Sequence, residues 1–102
     1  MLLSFHPAAL DELQATVELL QHERPGHGRL FYEQVKRRVA QAALFPKSGA
    51  PVLGFPPNYD VRQFTLRRFP NIVVTANVND ERIVVAIAHA RKAPGYWHRR
   101  IE

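Results

Sequence analysis

The chain has 102 residues and a mass of 11.7 kDa, the size of one domain, and its 46% hydrophobic and 23% charged residues are those of a folded globular chain. Fourteen Lys and Arg against nine Asp and Glu give a net charge of +5 and a pI near 10.2, which points to an acidic partner or a polyanion. The absence of cysteine excludes disulfide frameworks and thiolate metal sites, the five scattered glycines form no phosphate loop, and no apolar run approaches the roughly 20 residues of a membrane span.

The charge is unevenly placed. Residues 1–23 carry Asp11, Glu12, Glu18 and Glu23 and no Lys or Arg, whereas residues 61–100 carry eight bases and two acids. Met1-Leu2-Leu3, followed closely by Asp11 and Glu12, is too short for a signal peptide, so the expectation is a soluble cytoplasmic chain.

Leu3 and Phe5 alternate with Ser4 and His6, which predicts a short strand stopped by Pro7. Pro7 also suits the first position of a helix, where no amide donor is required. Leu10, Leu13, Val17 and Leu20 then recur at three- and four-residue steps and predict an amphipathic helix over 8–23, its acids mostly off the apolar stripe. Arg24-Pro25-Gly26-His27-Gly28 breaks it. A second helix carries Phe31, Val35, Val39 and Ala42 on one face and ends before Pro46, so the two form an antiparallel hairpin. Four prolines and two glycines between Pro46 and Tyr59 predict a loop. Three strands follow, over 61–69, 72–78 and 83–88, joined by turns at Phe69-Pro70-Asn71 and Asn79-Asp80-Glu81. Ile83 to Ala88 is apolar at every position, the pattern of a strand covered on both faces. The tail from Pro94 to Arg100 has room for one helical turn. The expected architecture is a single α+β domain over 1–102. It consists of an N-terminal strand and an antiparallel helical hairpin packed on a small, mainly antiparallel sheet, in the order β-α-α-β-β-β.

Arg62 shares strand parity with Phe64, Leu66 and Arg68, and His89 shares it with Ile83, Val85 and Ile87. If the strands at 61–69 and 83–88 lie in one sheet, Arg62, His89 and Arg91 converge on one surface. There arginine forks suit phosphate or carboxylate oxygens and a histidine can move a proton. Such a group could bind an RNA backbone and assist attack by a 2′-hydroxyl; a passive anion patch fits the same residues. Against these stand plainer readings: His89 as a hydrogen-bonded structural histidine, Tyr96 and Trp97 as packing for the tail with a hydroxyl or ring edge left to solvent, and Lys36-Arg37-Arg38 as a solvated face. The other histidines, His6, His22, His27 and His98, lack ligand spacing, so no metal is expected. No membrane-surface helix is expected either, because both apolar stripes are needed for the core.

Several segments together resemble the RelE/ParE toxin superfamily. They are Arg24-Pro25-Gly26-His27-Gly28 with Phe31 after it, Val61-Arg62-Gln63-Phe64, Arg68-Phe69-Pro70-Asn71-Ile72-Val73, and His89-Ala90-Arg91-Lys92-Ala93-Pro94-Gly95-Tyr96-Trp97. The last is similar to an H-x-[RK]-[RK]-x-P-x-Y-W ending followed by Arg three residues on, here Arg100. The resemblance covers essentially the whole chain and implies the toxin of a type II toxin–antitoxin pair. It would be neutralised by a cognate antitoxin whose flexible segment folds over it, with no cofactor, and would meet operator DNA only through that antitoxin. The intact YW ending and the FP turn look more like the ParE-type plasmid stabilisation members, which implies a contact with DNA gyrase. The alternatives are a RelE-like, ribosome-dependent nuclease of messenger RNA, and a degenerate member that only binds its antitoxin and co-regulates their promoter. The resemblance casts Arg62, Arg68, Arg91, Lys92, Tyr96, Trp97 and Arg100 as target- or antitoxin-binding, and Arg62, His89, Arg91 and Tyr96 as catalytic if the chain is RelE-like. The chain departs from the family pattern at Leu19-Leu20, where an aromatic pair is common, and around Thr75, where a tyrosine is often found.

Overall fold

The computed structural model describes residues 3–92 and 95–101; Met1, Leu2, Ala93, Pro94 and Glu102 lie outside the described residues, and with them the start of the expected tail turn. The elements run β1 (Ser4–Phe5), α1 (Pro7–Glu23), α2 (His27–Leu44), β2 (Ala50–Pro51), β3 (Arg62–Thr65), β4 (Asn71–Val78) and β5 (Glu81–His89), with 3-10 turns at Pro46–Ser48, Pro57–Tyr59 and His98–Arg100. They build an α+β fold in which one five-stranded sheet, ordered β1-β5-β4-β3-β2, carries the helical hairpin on one face. Every pairing is antiparallel except that of β1 with β5.

Local chemistry accounts for the helix ends. Pro7 stands in the first turn of α1, and the His6 side chain caps it by accepting a hydrogen bond from the Ala8 N–H through Nδ1 at 3.0 Å. Gly26, with φ 88°, turns the chain into α2. Gly28 lies where the two helices touch: a Cβ there would stand 2.4 Å from the Val17 carbonyl oxygen, so only glycine allows this approach.

The core has two layers. On the helix side, Ala9 and Leu13 of α1 and Phe31, Val35, Val39 and Ala42 of α2 close over Phe64, Leu66, Phe69, Val73, Val84 and Ile87. On the opposite face, Trp97 and Ile101 of the tail cover Val61, Val74, Ala76, Val85 and Ala88, with Phe55 stacked on Trp97 at 5.5 Å. Each fully buried aliphatic or aromatic side chain contributes about 1.5–3 kcal/mol, so the tail is a structural layer and not an appendage. β5 is therefore covered on both faces, as its unbroken apolar run predicts.

Four expectations change. Leu10, placed on the apolar stripe of the first helix, is 42% exposed; Ala9 and Leu13 are the buried positions. The strand expected over 61–69 stops at Thr65, and Arg68 takes up a left-handed conformation with φ 67°. Residues 66–69 therefore form a loop, pinned by the buried Leu66 and Phe69. The proline-rich segment is not all loop, because Ala50 and Pro51 pair with Gln63 and Arg62 as an edge strand. Finally, β5 bulges: Val74 pairs with Ala86 but Thr75 pairs with Val84, leaving Val85 as the extra residue. The bulge reverses side-chain parity, so Val84 and Ile87 share the helix-side core while Ile83 and Val85 face the tail. His89 consequently does not share one face with Ile83 and Val85.

The β4–β5 hairpin turns on Asn79 and Asp80, both at positive φ, and Val78 pairs with Glu81. This two-residue turn matches the twist of the strands, and Glu81 belongs to the strand rather than to the turn.

Candidate functional site

The expected convergence of Arg62 with His89 and Arg91 does not form. Arg62 lies opposite Thr75, which lies opposite Val84, whereas His89 pairs with Asn71. Four residues of β4, from Thr75 to Asn71, separate the two levels, about 13 Å along the sheet. Arg62 is instead engaged locally. Its Nε donates to Asp60 Oδ1 at 2.9 Å and its Nη1 to the Gly49 carbonyl at 3.0 Å. Arg82 joins from β5, its Nη1 donating to the Asp60 carbonyl at 2.8 Å and lying 3.3 Å from Asp60 Oδ2, and its Nη2 donating to Thr75 Oγ1 at 3.0 Å. Burial pushes the Asp60 carboxyl up, but the Arg62 hydrogen bond and the nearby positive charges leave it below the usual value. Burial lowers Arg82, with Asp60 opposing. Neither Asp60 nor Arg82 stands out in the sequence.

At the far end of β5, His89, Lys92 and Tyr96 do come together. They line two shallow concavities, one shared with Glu12, Leu20 and Phe69, the other with Phe55, Gln63 and Trp97. His89 Nδ1 accepts a hydrogen bond from the Arg91 N–H at 3.0 Å, which fixes the turn after the strand and leaves the Arg91 side chain exposed. The Lys92 ammonium lies 4.9 Å from the centre of the Tyr96 ring.

Beneath this surface lies a residue that the patterning sets aside as solvated. Glu12 projects from α1 toward the sheet and the tail. Its carboxylate accepts hydrogen bonds from the Ile87 N–H at 3.0 Å, from the Tyr96 hydroxyl, and from Arg100 Nη1 and Nη2 at 2.8 and 3.1 Å. Arg100 Nη1 also donates to the Val85 carbonyl at 3.1 Å, at the bulge. Burial works to raise the Glu12 pKa, yet the hydrogen bonds from Arg100, Tyr96 and Ile87 bring it below its ordinary 4.5. The Tyr96 phenol is pushed far above its ordinary range by burial and by Glu12, and Arg100 is raised by its hydrogen bond to Glu12. The Tyr96 hydroxyl is thus tied to a carboxylate instead of left to solvent, and Arg100 is ion-paired within the fold. Trp97 is 5% exposed and belongs to the core. One signal for Glu12 was in the sequence: it falls beside Leu13 and three residues after Ala9, on the flank of the buried stripe.

Two further surfaces complete the site map. An apolar groove runs between β1 and the helical hairpin, lined by Leu3, Phe5, Leu10, Val17, Tyr32 and Lys36 among others. Arg68 sits elsewhere, with Arg67, Gln34, Arg37 and Arg38, in a cleft between α2 and the β3–β4 loop. Among the described residues no group of three or more His, Cys, Asp or Glu is placed to hold a metal ion, and no helix is long and apolar enough to cross a membrane.

Residues 3–94 match the family model of the ParE toxin of type II toxin–antitoxin systems, parDE. The chain belongs to the ParE toxin family. A solved chain from the chromosomal ParDE TA system of P. aeruginosa superposes with a TM-score of 0.70 at 20% identity, covering 89% of this chain and 97% of that one; the likeness is one of fold. No curated protein sequence matches significantly. Within this ParE-family toxin the family model spans the helical hairpin, the whole sheet and His89, Arg91 and Lys92, and it stops short of Tyr96, Trp97 and Arg100. Those three tail residues, like Arg62, are taken up by contacts within the fold.

Proposed function

We propose that this ParE-family toxin acts by binding DNA gyrase, as a protein–protein inhibitor rather than as a nuclease, and is held inactive by a cognate antitoxin. The observation that carries the non-catalytic reading is the commitment of the Tyr96 hydroxyl to Glu12. A phenol bonded to a carboxylate and raised far out of the physiological range is a poor proton donor or acceptor at neutral pH. Arg62, paired with Asp60 about 13 Å along the sheet from the His89 level, adds no phosphate clamp beside it. Gyrase as the target rests on membership of the family.

The apolar groove beside α1 and α2 supports an antitoxin partner. Leu10 and Tyr32 are 42% and 43% exposed there, and an amphipathic segment laid into the groove would cover both. Purified toxin added to a gyrase supercoiling reaction and to programmed ribosomes tests the proposal. Loss of supercoiling with intact message is the expected result. Cleaved message with unchanged supercoiling would replace this reading by the nuclease one. Antitoxin from the adjacent gene should restore supercoiling when added in equimolar amount.

A further inference from the structure

The cleft between α2 and the β3–β4 loop carries four arginines and belongs to neither the antitoxin groove nor the His89 surface. Arg37 and Arg38 project from α2 beside Gln34, at the three- and four-residue steps that share one helix face. Arg67 and Arg68 face them from the loop. Arg38 Nε crosses the cleft to donate to the Thr65 carbonyl at 2.7 Å, while its Nη1 donates to Gln41 Oε1 of the same helix at 2.9 Å. Leu66 and Phe69 are buried on either side of the arginine pair, with Phe69 edge-on to Phe31 at 5.1 Å, so Arg67 and Arg68 are held outward. Among the described residues, the exposed Arg37, Arg67 and Arg68 make no ion pair, although Glu33 lies one turn before Arg37.

We propose that this cleft binds the phosphate backbone of a nucleic-acid duplex without regard to sequence. Three features select that ligand. Guanidinium forks match phosphate oxygens, and several of them on a rigid frame can span neighbouring phosphates. The cleft is lined by Gln34 and the four arginines and offers no apolar anchor, which a peptide partner requires. It also presents no aromatic ring, so there is no platform on which unpaired bases stack. A duplex, which shows its backbone and hides its bases, fits this chemistry better than a single strand. The proposal does not depend on the gyrase reading.

The test is fluorescence anisotropy of a labelled 20-base-pair DNA of arbitrary sequence, a duplex RNA of the same length and a single strand, with the purified toxin. Neutralising three phosphates predicts a slope of about −0.9 per phosphate in log affinity against log salt, a loss of about 40-fold between 50 and 200 mM. The variant Arg37→Ala/Arg67→Ala/Arg68→Asn, in which Asn keeps the left-handed backbone at 68, should bind at least about tenfold more weakly and lose most of that slope. A control with equal charge removed elsewhere, Arg29→Ala/Lys47→Ala/Arg99→Ala, should retain most of the affinity. Equal losses in both variants would overturn the proposal in favour of net charge alone. Preference for the single strand, or competition by poly-glutamate as effective as unlabelled duplex, would also overturn it. Amide shifts of the wild-type protein during titration with duplex give a readout that needs no variant. They should centre on residues 34, 37, 67 and 68, and shifts centred elsewhere would refute the site.

Discussion

Glu12 and Arg100 lie 88 residues apart and meet in a two-pronged ion pair, each side chain 17% exposed, that clamps the first helix to the last turn of the chain. The same carboxylate takes the Tyr96 hydroxyl and the Ile87 amide, so a single side chain on α1 secures three segments at once. Removing either charge leaves the other partly buried and unpaired. Breaking a buried pair costs about 3–5 kcal/mol, and the residual exposure here reduces that to about 2–3. We expect Glu12→Gln and Arg100→Ala each to lower the urea midpoint by that equivalent, and the double variant to cost less than their sum. Additive losses would show that the two residues act separately.

The same cluster sets a pH dependence. Glu12 is below its ordinary 4.5 in the fold, so its contribution is complete above that pH and is lost as pH falls through the lower folded value. Asp60, below its ordinary 3.8, acts in the same direction at still lower pH. Tyr96 works in the opposite direction: its folded phenol lies above 10.0, so its contribution is present below pH 10.0 and fades as pH rises past the folded value. Urea midpoints should be flat near neutrality and fall on both sides. Glu12→Gln should flatten the acid limb; a limb as steep as that of the wild type would remove Glu12 from the account.

At the helix crossing two effects oppose each other. Gly28→Ala gains about 1 kcal/mol of helix propensity at most. The new methyl must displace the Val17 carbonyl, 2.4 Å away, which is backbone and cannot swing aside. Overpacking of this kind costs about 1–3 kcal/mol, so a net loss of about 1–2 is expected. Thermal unfolding should show it as a fall of roughly 4–8 °C per kcal/mol.

Arg68 offers a substitution with the reverse sign. Its φ of 67° strains any residue with a Cβ by about 1–2 kcal/mol, and glycine carries an unfolded-state entropy cost of about 0.5–1. Arg68→Gly should therefore raise stability by about 0.5 kcal/mol, whereas Arg68→Val, β-branched, should lower it by about 1. If instead the glycine variant unfolds more easily, the left-handed turn is not the source of the strain.

Around Asp60 the order of effects is set by what remains behind. Asp60→Asn leaves Arg62 and Arg82 facing each other with no counter-charge, while Arg62→Ala leaves Asp60 still paired with Arg82. The first should cost about 1–2 kcal/mol more than the second in chemical unfolding.

The helical half of this fold is legible in the sequence because one face is buried and the other wet. Phe31, Val35, Val39 and Ala42 are all buried, at the spacing that identifies them. Leu10 misleads because the same spacing cannot tell a core position from the rim of a groove. β2 is invisible because two residues joined to a sheet edge by backbone hydrogen bonds leave no side-chain pattern. The bulge at Val85 has no signature in an all-apolar run, where either face accepts any residue. That single inserted residue invalidates parity arguments for His89, and with them the expected meeting of Arg62 and His89. Glu12 is obscured for a different reason: a carboxylate on an amphipathic helix is ordinarily solvated, and its partners lie more than seventy residues away.

The parallel pairing of β1 with β5 joins Ser4 to Ile83 and Phe5 to Val84, and the His6 N–H reaches the Val84 carbonyl at 2.8 Å. β1 thus acquires its hydrogen-bonding neighbour only after some eighty further residues have been made, and the clamp on α1 waits for Arg100. Such distant pairings are slow to form, since the intervening loop must close before any contact rewards it. On the ribosome the helical hairpin can assemble early, but the sheet edge and the tail layer close only after residues 83–101 have left the exit tunnel. A chain interrupted before Ile83 therefore carries the helical hairpin without the sheet edge that pairs with β1, and so without the finished toxin surface.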